Sequence, residues 1–157
     1  MKRRLPDAAR SYLNLQMYPD NGLAYNNLAN VYHEGLFDFQ GALRVHEIWL
    51  QRHPTDVDAR ANNAECAFSA GRFSDAALRA HELLGASELD AGSRAALRAI
   101  EIAALIAQQE NDAAQRSMQE LVDFVSAQPP ISGRHGFGTA HFTSFRRTID
   151  WPLPAPA

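Results

Sequence analysis

Three His-Glu dipeptides have the residue types and spacing that come nearest to catalytic chemistry. They are His33-Glu34, His46-Glu47 and His81-Glu82. In the H-E-x-x-H motif of zinc proteases, a second histidine four residues after the first completes the metal site on one helical face. The corresponding positions here hold Phe37, Leu50 and Gly85. We therefore expect His46 to be partly buried, and His33 and His81 to lie at the surface or in a groove.

His135 and His141 flank the segment Gly136-Phe137-Gly138. Two histidines without a third ligand nearby make a poor metal site. The segment also lacks a G-x-x-x-x-G-K-[ST] phosphate cradle and a G-x-S-x-G nucleophile elbow. We expect no metal, no cofactor and no catalysis, so the chain is predicted not to be an enzyme. An enzyme built around these two histidines is the third hypothesis, behind two non-catalytic ones.

Cys66 is the only cysteine, so the chain can form neither an internal disulfide nor a multi-thiolate zinc site. We expect a small buried side chain rather than a reactive thiol. Because a single cysteine cannot form an internal disulfide, we expect the protein to work in a reducing compartment, the cytoplasm. The basic residues 1–4 precede no apolar run, and no stretch approaches the ~20 apolar residues of a membrane span. We therefore expect neither a signal peptide nor a membrane helix. Fourteen arginines against one lysine indicate a GC-rich bacterial genome.

The composition is that of a folded protein, with 46% hydrophobic residues, 21% charged residues and a net charge of −3. The net charge disfavours nucleic acid as the partner, because non-specific affinity for it comes from neutralising phosphates. Arg134, Arg146 and Arg147 form the one basic cluster away from the N-terminus. We expect a solvated helix face there, and stacking on a single-stranded nucleic acid is the alternative.

Hydrophobic residues recur with the period of a helix along most of the chain. The pattern predicts helices over about 6–17, 23–34, 39–52, 56–70, 74–84, 93–109 and 111–127. Asp38 and Ser74 are the expected N-caps. Residues 128–138, rich in proline and glycine, are a predicted linker. Residues 139–150 are a predicted last helix, and 151–157 an extended proline-rich tail.

The predicted helices form pairs that repeat about every 35 residues. Ala42 and Ala76 are 34 residues apart, Gly35 and Gly71 are 36 apart, and Pro19 and Pro54 are 35 apart. A fixed period in this range is the sequence signature of a stacked helical repeat, in which one unit cannot bury its apolar faces alone.

The first complete unit resembles the tetratricopeptide repeat, whose pattern is W-x2-L-G-x2-Y, then A-x3-F, then P. The segment Tyr25-Asn26-Asn27-Leu28-Ala29-Asn30-Val31-Tyr32 matches the first part, with Tyr for Trp and Ala for Gly. Ala42 and Pro54 match the later alanine and proline. His46 stands where the family has an aromatic residue, and the turn between the two helices carries about one extra residue.

Two later units keep less of the pattern. The second keeps Ala64, Gly71, Phe73 and Ala76, but Arg60 and Asn63 replace the aromatic residue and the leucine. The third keeps Ala114, Met118 and Leu121.

The resemblance implies an all-α fold, a right-handed α-solenoid of about three stacked helix-turn-helix repeats within residues 1–127. Small residues (Ala29, Ala42, Ala64, Ala76) would let paired helices approach, and larger ones, Phe37 and Phe73 among them, would fill the space between layers. The helix 139–150, with Phe142, Phe145 and Ile149 on one face, would cap the stack.

In this family the first helix of each unit lines a concave groove that holds the ligand. The resemblance therefore implies a groove lined by Asn26, Asn27, Asn30, His33, Asp58, Asn62, Glu65, Arg94 and Arg98. Asn27 and Asn62 resemble the asparagine ladder of the repeats in O-linked N-acetylglucosamine transferase. Side-chain amides both donate and accept, so such a ladder can bind an extended peptide backbone. The alternative is that these asparagines bond a neighbouring helix.

A second hypothesis for the groove is the carboxylate clamp of chaperone-binding co-chaperones. Asn30, Asn62, Arg94 and Arg98 roughly fit its pattern. However, Asn26 stands where the clamp's first lysine should be, and the acidic Glu34, Asp58 and Glu65 would repel a peptide carboxylate.

The resemblance implies a protein–protein interaction scaffold that binds a peptide or partner protein, with no nucleic acid and no membrane. The alternative is a non-catalytic structural or regulatory part of a larger enzyme or assembly, because the pattern begins in the middle of a repeat. In that case the chain's own proline-rich tail could fill the groove.

Overall fold

A computed structural model of the chain describes Leu15, Met17 and residues 19–128, and every regular element among them is helical. Six α-helices follow one another in this part of the chain, with a π-helical turn after the first. They are α1 Gly22–Asn30, α2 Phe39–Arg52, α3 Val57–Ser69, α4 Phe73–Leu84, α5 Ala91–Ala107 and α6 Asn111–Ser126, and the π-helical turn is Val31–Gly35. The prediction of an all-α chain is confirmed for the described residues.

Short polar side chains begin four of the six helices. Asn21, Asp38, Asp56 and Asp90 stand immediately before α1, α2, α3 and α5. The side-chain oxygen of each accepts a hydrogen bond from a backbone N–H of the first turn, at distances of 2.8 to 3.1 Å. These bonds satisfy N–H groups that have no partner within the helix. The predicted cap Asp38 is confirmed.

The predicted cap Ser74 is wrong, and the turn between α3 and α4 gives the reason. Gly71 adopts a left-handed backbone conformation with φ of 74°. The N–H groups of Gly71 and Arg72 return to carbonyl groups in the last turn of α3, both at 2.9 Å. This Schellman motif ends α3 within two residues. α4 therefore begins at Phe73, one residue before the predicted start, and Arg72 takes the N-cap position.

The turn between α1 and α2 accommodates its extra residue through the π-helical turn. The backbone N–H of Leu36 donates to the carbonyl of Val31 at 3.0 Å, the five-residue spacing of a π-helix. Phe37 then takes a left-handed φ of 55°, as Gly71 does 34 residues later. In this position the Phe37 side chain is 74% exposed. The prediction that Phe37 fills the space between layers is wrong.

Each helix packs against the next one along the chain, and α3 also packs directly against α5. The four small residues predicted to let paired helices approach each other are all buried: Ala29, Ala42, Ala64 and Ala76. The largest fully buried side chains are Leu28, Leu43, Leu83, Leu97 and Ile100. The core thus runs continuously from α1 to α5 between successive helices.

The last described helix, α6, has an exposed apolar stripe. Met118, Val122 and Val125 are spaced by four and three residues, so they share one face of the helix, and each is about half exposed. The predicted linker beyond Gln128, the predicted cap 139–150 and the tail 151–157 lie outside the described residues, as does most of the predicted helix 6–17.

Candidate functional site

A cavity of about 270 Å³ lies between α1, the second half of α2 and the beginning of α3. We call it the α1–α3 cavity. Its lining residues are Gly22, Leu23, Tyr25, Asn26, His46, Trp49, Asp56, Asp58, Ala59 and Asn62. Three of the nine residues predicted to line a groove are among them, namely Asn26, Asp58 and Asn62. The fold therefore brings these three side chains, up to 36 positions apart in sequence, to one site.

Asn26 and Asn62 join α1 to α3 through their side chains. Nδ2 of Asn62 donates a hydrogen bond to Oδ1 of Asn26 at 3.1 Å. The amide nitrogen of Asn26 and the carbonyl oxygen of Asn62 remain able to donate and accept further bonds. Asn27, which the ladder hypothesis paired with Asn62, is exposed and does not line the cavity. The partner of Asn62 on α1 is Asn26, one residue earlier.

Trp49 and Tyr25 form an aromatic wall of the α1–α3 cavity. Their ring centroids lie 5.0 Å apart. Nε1 of Trp49 donates to a carboxylate oxygen of Asp56 at 2.7 Å, and the ring of His53 stacks on the indole at 3.8 Å. A Cβ at Gly22 would lie 3.0 Å from the indole, a tight contact that would require the ring to move by a few tenths of an ångström. The position of the indole is thus fixed from several directions.

His46 lies at the bottom of this cavity and is only 3% exposed. Burial, followed by the nearby His33, lowers the pKa of His46 to about 4, although the carboxylate of Asp56 acts in the opposite direction. The imidazole is therefore neutral at pH 7. Neither ring nitrogen makes a hydrogen bond to a residue that the structure describes. His46 was predicted to be partly buried, and the structure buries it almost completely.

Three more of the predicted groove residues lie further along α1 and α3. Nε2 of His33 lies 3.1 Å from Oγ of Ser69, a second polar link from the end of the first helix to α3. Asn30 is half-buried, and Glu65 is buried in α3.

Burial, together with the negative charge of Glu65, raises the pKa of the Cys66 thiol to about 12. The buried thiol predicted from the sequence is confirmed, and it is protonated, hence a poor nucleophile.

Arg94 and Arg98, the last two predicted groove residues, already have partners within the fold. The guanidinium of Arg94 donates to the carbonyl groups of Leu84 and Ala86, the latter at 3.0 Å, and so closes the end of α4. Arg98 forms ion pairs with Glu101 and Glu120, both at 2.8 Å. A clamp on a ligand carboxylate would have to break these bonds first, and neither arginine lines the α1–α3 cavity.

A second cavity, of about 370 Å³, lies between α4, α5 and α6 and is built around the buried carboxylate of Glu101. Oγ of Ser117 donates to this carboxylate at 2.6 Å, and Nδ1 of His81 does so at 2.7 Å. Burial alone would raise the pKa of Glu101, but the hydrogen bonds from Ser117, His81 and Arg98 outweigh it and lower the pKa. Arg98 and Glu101 are thus paired within the fold, and we interpret their bonds as structural.

Asn63 and Arg79 form a polar pair that the sequence did not reveal. Asn63 is buried, and its Oδ1 accepts a hydrogen bond from the guanidinium of Arg79. Arg79 also pairs with Glu47 at 3.2 Å. The position where the repeat pattern has leucine is therefore occupied by an amide with a charged partner from α4. The two residues are 16 positions apart, and no local pattern links them.

Several predicted features cannot be located in this part of the chain. His135, His141 and the arginine cluster at 134, 146 and 147 lie outside the described residues. Among the residues that are described, no group of three or more His, Cys, Asp or Glu side chains is arranged to hold a metal ion. None of the described helices has the length and apolar character needed to cross a membrane.

No protein-family model matches the chain, and no curated protein matches it either.

Proposed function

We propose that this chain is a protein–protein interaction scaffold of the tetratricopeptide type. The six described helices would form a right-handed solenoid of about three stacked pairs. A peptide or a segment of a partner protein would lie along α1, α3 and α5, with its backbone at the amides of Asn26 and Asn62. The buried, protonated thiol of Cys66 suits the reducing cytoplasm, where we propose that the protein works.

The observation that carries this proposal is the amide pair at the α1–α3 cavity. A hydrogen bond of 3.1 Å joins Asn62 to Asn26, and both residues line the cavity. The amide nitrogen of Asn26 and the amide oxygen of Asn62 can still donate and accept. An extended peptide offers alternating N–H and C=O groups, which can bond to such a pair whatever the peptide's sequence. The direct contact of α3 with both its neighbours and α5 also supports a stack of first helices beside one another.

The proposal is tested by first identifying partners through affinity capture and mass spectrometry with the full chain. The affinity of the captured partner is then measured for wild type and for the double variant Asn26→Ala plus Asn62→Ala. A net hydrogen bond contributes about 0.5–1.5 kcal/mol, so loss of two is expected to weaken binding roughly tenfold. The variant's thermal unfolding is recorded as well, because the two amides also bond to each other.

Asn27→Ala is the matched control, since it removes an exposed asparagine from the same helix. We expect it to bind as wild type does. If the double variant stays folded and binds its partner with wild-type affinity, the proposed groove is wrong. If Asn27→Ala has the larger effect, the peptide backbone lies at the exposed face of α1 instead.

A second candidate function is a non-catalytic structural part of a larger assembly, favoured by the apolar stripe of α6. Met118, Val122 and Val125 present an uncovered face to solvent among the described residues. A contiguous exposed apolar surface often marks an interface. Val122→Glu plus Val125→Glu is expected to abolish association in this case and to leave peptide binding at Asn26 and Asn62 intact. Unchanged association of this variant, measured by size-exclusion chromatography with light scattering, would exclude the second candidate.

A further inference from the structure

We infer that the α1–α3 cavity receives a cationic side chain, arginine or lysine, of the bound peptide. This inference rests on the proposed function and names the class of peptide that the groove prefers. Two independent observations carry it, the charge of the cavity lining and a buried imidazole that has no hydrogen-bond partner among the described residues.

Among the described residues, the lining of the α1–α3 cavity contains two carboxylates, Asp56 and Asp58, and no arginine or lysine. Asp56 is already engaged, because one oxygen accepts from Trp49 at 2.7 Å and the other from the backbone N–H of Ala59 at 2.9 Å. Asp58 is exposed and forms no ion pair or hydrogen bond with any described residue. A guest with a positive charge therefore finds an unpaired carboxylate at the mouth of the cavity, and an anionic guest is repelled.

His46 supplies the second observation, from the bottom of the cavity. The side chain is 3% exposed, lines the cavity, and makes no hydrogen bond within the described part of the chain. A guest that supplies a hydrogen-bond donor therefore meets an acceptor that the described part of the fold does not use. Because the imidazole is neutral at pH 7, one of its nitrogens can accept a hydrogen bond and it does not repel a cation.

The other lining groups suit the same guest. Asn26 and Asn62 both line the cavity, and the amide oxygen of Asn62 can accept a hydrogen bond. Tyr25 and Trp49 offer apolar walls for the methylene stem of an arginine or lysine side chain. The volume of about 270 Å³ is slightly below the ~300–1,000 Å³ of small-molecule sites, so a single side chain fits better than a whole cofactor.

The second cavity provides the contrast. Its lining carries two arginines and two glutamates, and Arg98 is paired with both Glu101 and Glu120. The formal charges of that lining cancel, and its buried carboxylate, Glu101, is already satisfied by Ser117, His81 and Arg98. Only the α1–α3 cavity, of these two, combines an unbalanced charge with unused hydrogen-bonding capacity.

The experiment uses the full ¹⁵N-labelled chain and three acetylated, amidated pentapeptides, each of four alanines around a central arginine, glutamine or glutamate. Binding is followed by the amide NMR signals of Asn26 and Asn62 and by the indole N–H signal of Trp49. We expect the arginine peptide to shift these signals and to bind about three- to fivefold more tightly than the glutamine peptide, the upper part of the range that an exposed ion pair contributes. The glutamate peptide is expected to bind most weakly.

Asp58→Asn and Asp112→Asn form a matched pair of variants. Both aspartates are exposed and stand second in their helices, α3 and α6, so each change removes the same charge from an equivalent helical position. We expect Asp58→Asn to weaken the arginine peptide about three- to fivefold and to leave the glutamine peptide unchanged. Asp112→Asn is expected to bind both peptides as wild type does.

The possible results separate this inference from the function on which it rests. Equal binding of the arginine and glutamine peptides at the cavity overturns the preference for a cation and leaves peptide binding standing. The same conclusion follows if no pentapeptide moves the signals while the captured partner still depends on Asn26 and Asn62. If neither the pentapeptides nor the captured partner respond to changes in the cavity, both the inference and the proposed function fail.

Discussion

His46 should make the stability of this protein strongly dependent on pH. The folded chain holds its imidazole neutral because burial, followed by the nearby His33, lowers the pKa from its ordinary value of 6.5 to about 4. In the unfolded chain the same imidazole takes up a proton as the pH falls below about 6.5. Between these two values the unfolded state binds more protons than the folded state, so acid favours unfolding.

The magnitude follows from the two pKa values. Each pKa unit corresponds to about 1.4 kcal/mol, so a pKa of about 4 against 6.5 is worth about 3 kcal/mol in full. The contribution is present above pH 6.5 and is lost as the pH falls towards 4. About 2.5 kcal/mol of it is lost between pH 7.5 and 4.5. This loss is a large part of the free energy of unfolding of a typical domain, which is about 5–15 kcal/mol.

The assay compares urea unfolding of wild type, His46→Phe and His46→Leu at pH 7.5 and 4.5. Neither replacement can take up a proton. Wild type is expected to lose about 2.5 kcal/mol more than either variant over this interval. The two replacements differ in size, so a packing effect would separate them, whereas loss of titration affects both alike. If wild type and both variants lose the same free energy between the two pH values, the account of His46 is refuted.

Two further predictions concern the stability of the helix pairs, measured by urea unfolding at pH 7.5. Arg79→Leu leaves the buried amide of Asn63 without its donor and is expected to cost about 2–3 kcal/mol, whereas Asn63→Leu together with Arg79→Leu should recover most of this. A double variant no more stable than Arg79→Leu would contradict this explanation. Phe37→Gly should be more stable than Phe37→Ala by about 1 kcal/mol, because glycine adopts a left-handed φ without steric cost; equal stabilities would show that the turn relaxes.

The helices could be predicted because their signals are local. Asp38 and Asp56 occur just before α2 and α3, and the apolar period within each helix follows from its own sequence. The boundaries were less accurate where a turn has a special backbone conformation. After the π-helical turn, a phenylalanine, Phe37, takes the left-handed conformation. At Phe73 the Schellman motif begins α4 one residue early.

The candidate site was predicted in part. Asn26, Asp58 and Asn62 were all expected in the groove, and they line one cavity. Arg94 and Arg98 were expected in the same groove, yet both are engaged within the fold by groups on neighbouring segments. These two outcomes could not be distinguished from the sequence, because an arginine that bonds to a helix end and an arginine that is free to bind a ligand can occupy the same helical position.

What the sequence alone determined is the set of helices, the cap at Asp38 and the small residues between helices, since each depends on neighbours within about one helical turn. The tertiary structure decided which polar side chains find partners within the fold. Asn62 bonds to Asn26 across 36 positions, and Ser117 bonds to Glu101 across 16. The donor–acceptor distance of a hydrogen bond can vary by only about a few tenths of an ångström. These pairings therefore depend on how the helices pack as rigid bodies. The same packing leaves Asp58 unpaired among the described residues and His46 without a hydrogen bond, and these two side chains define the site.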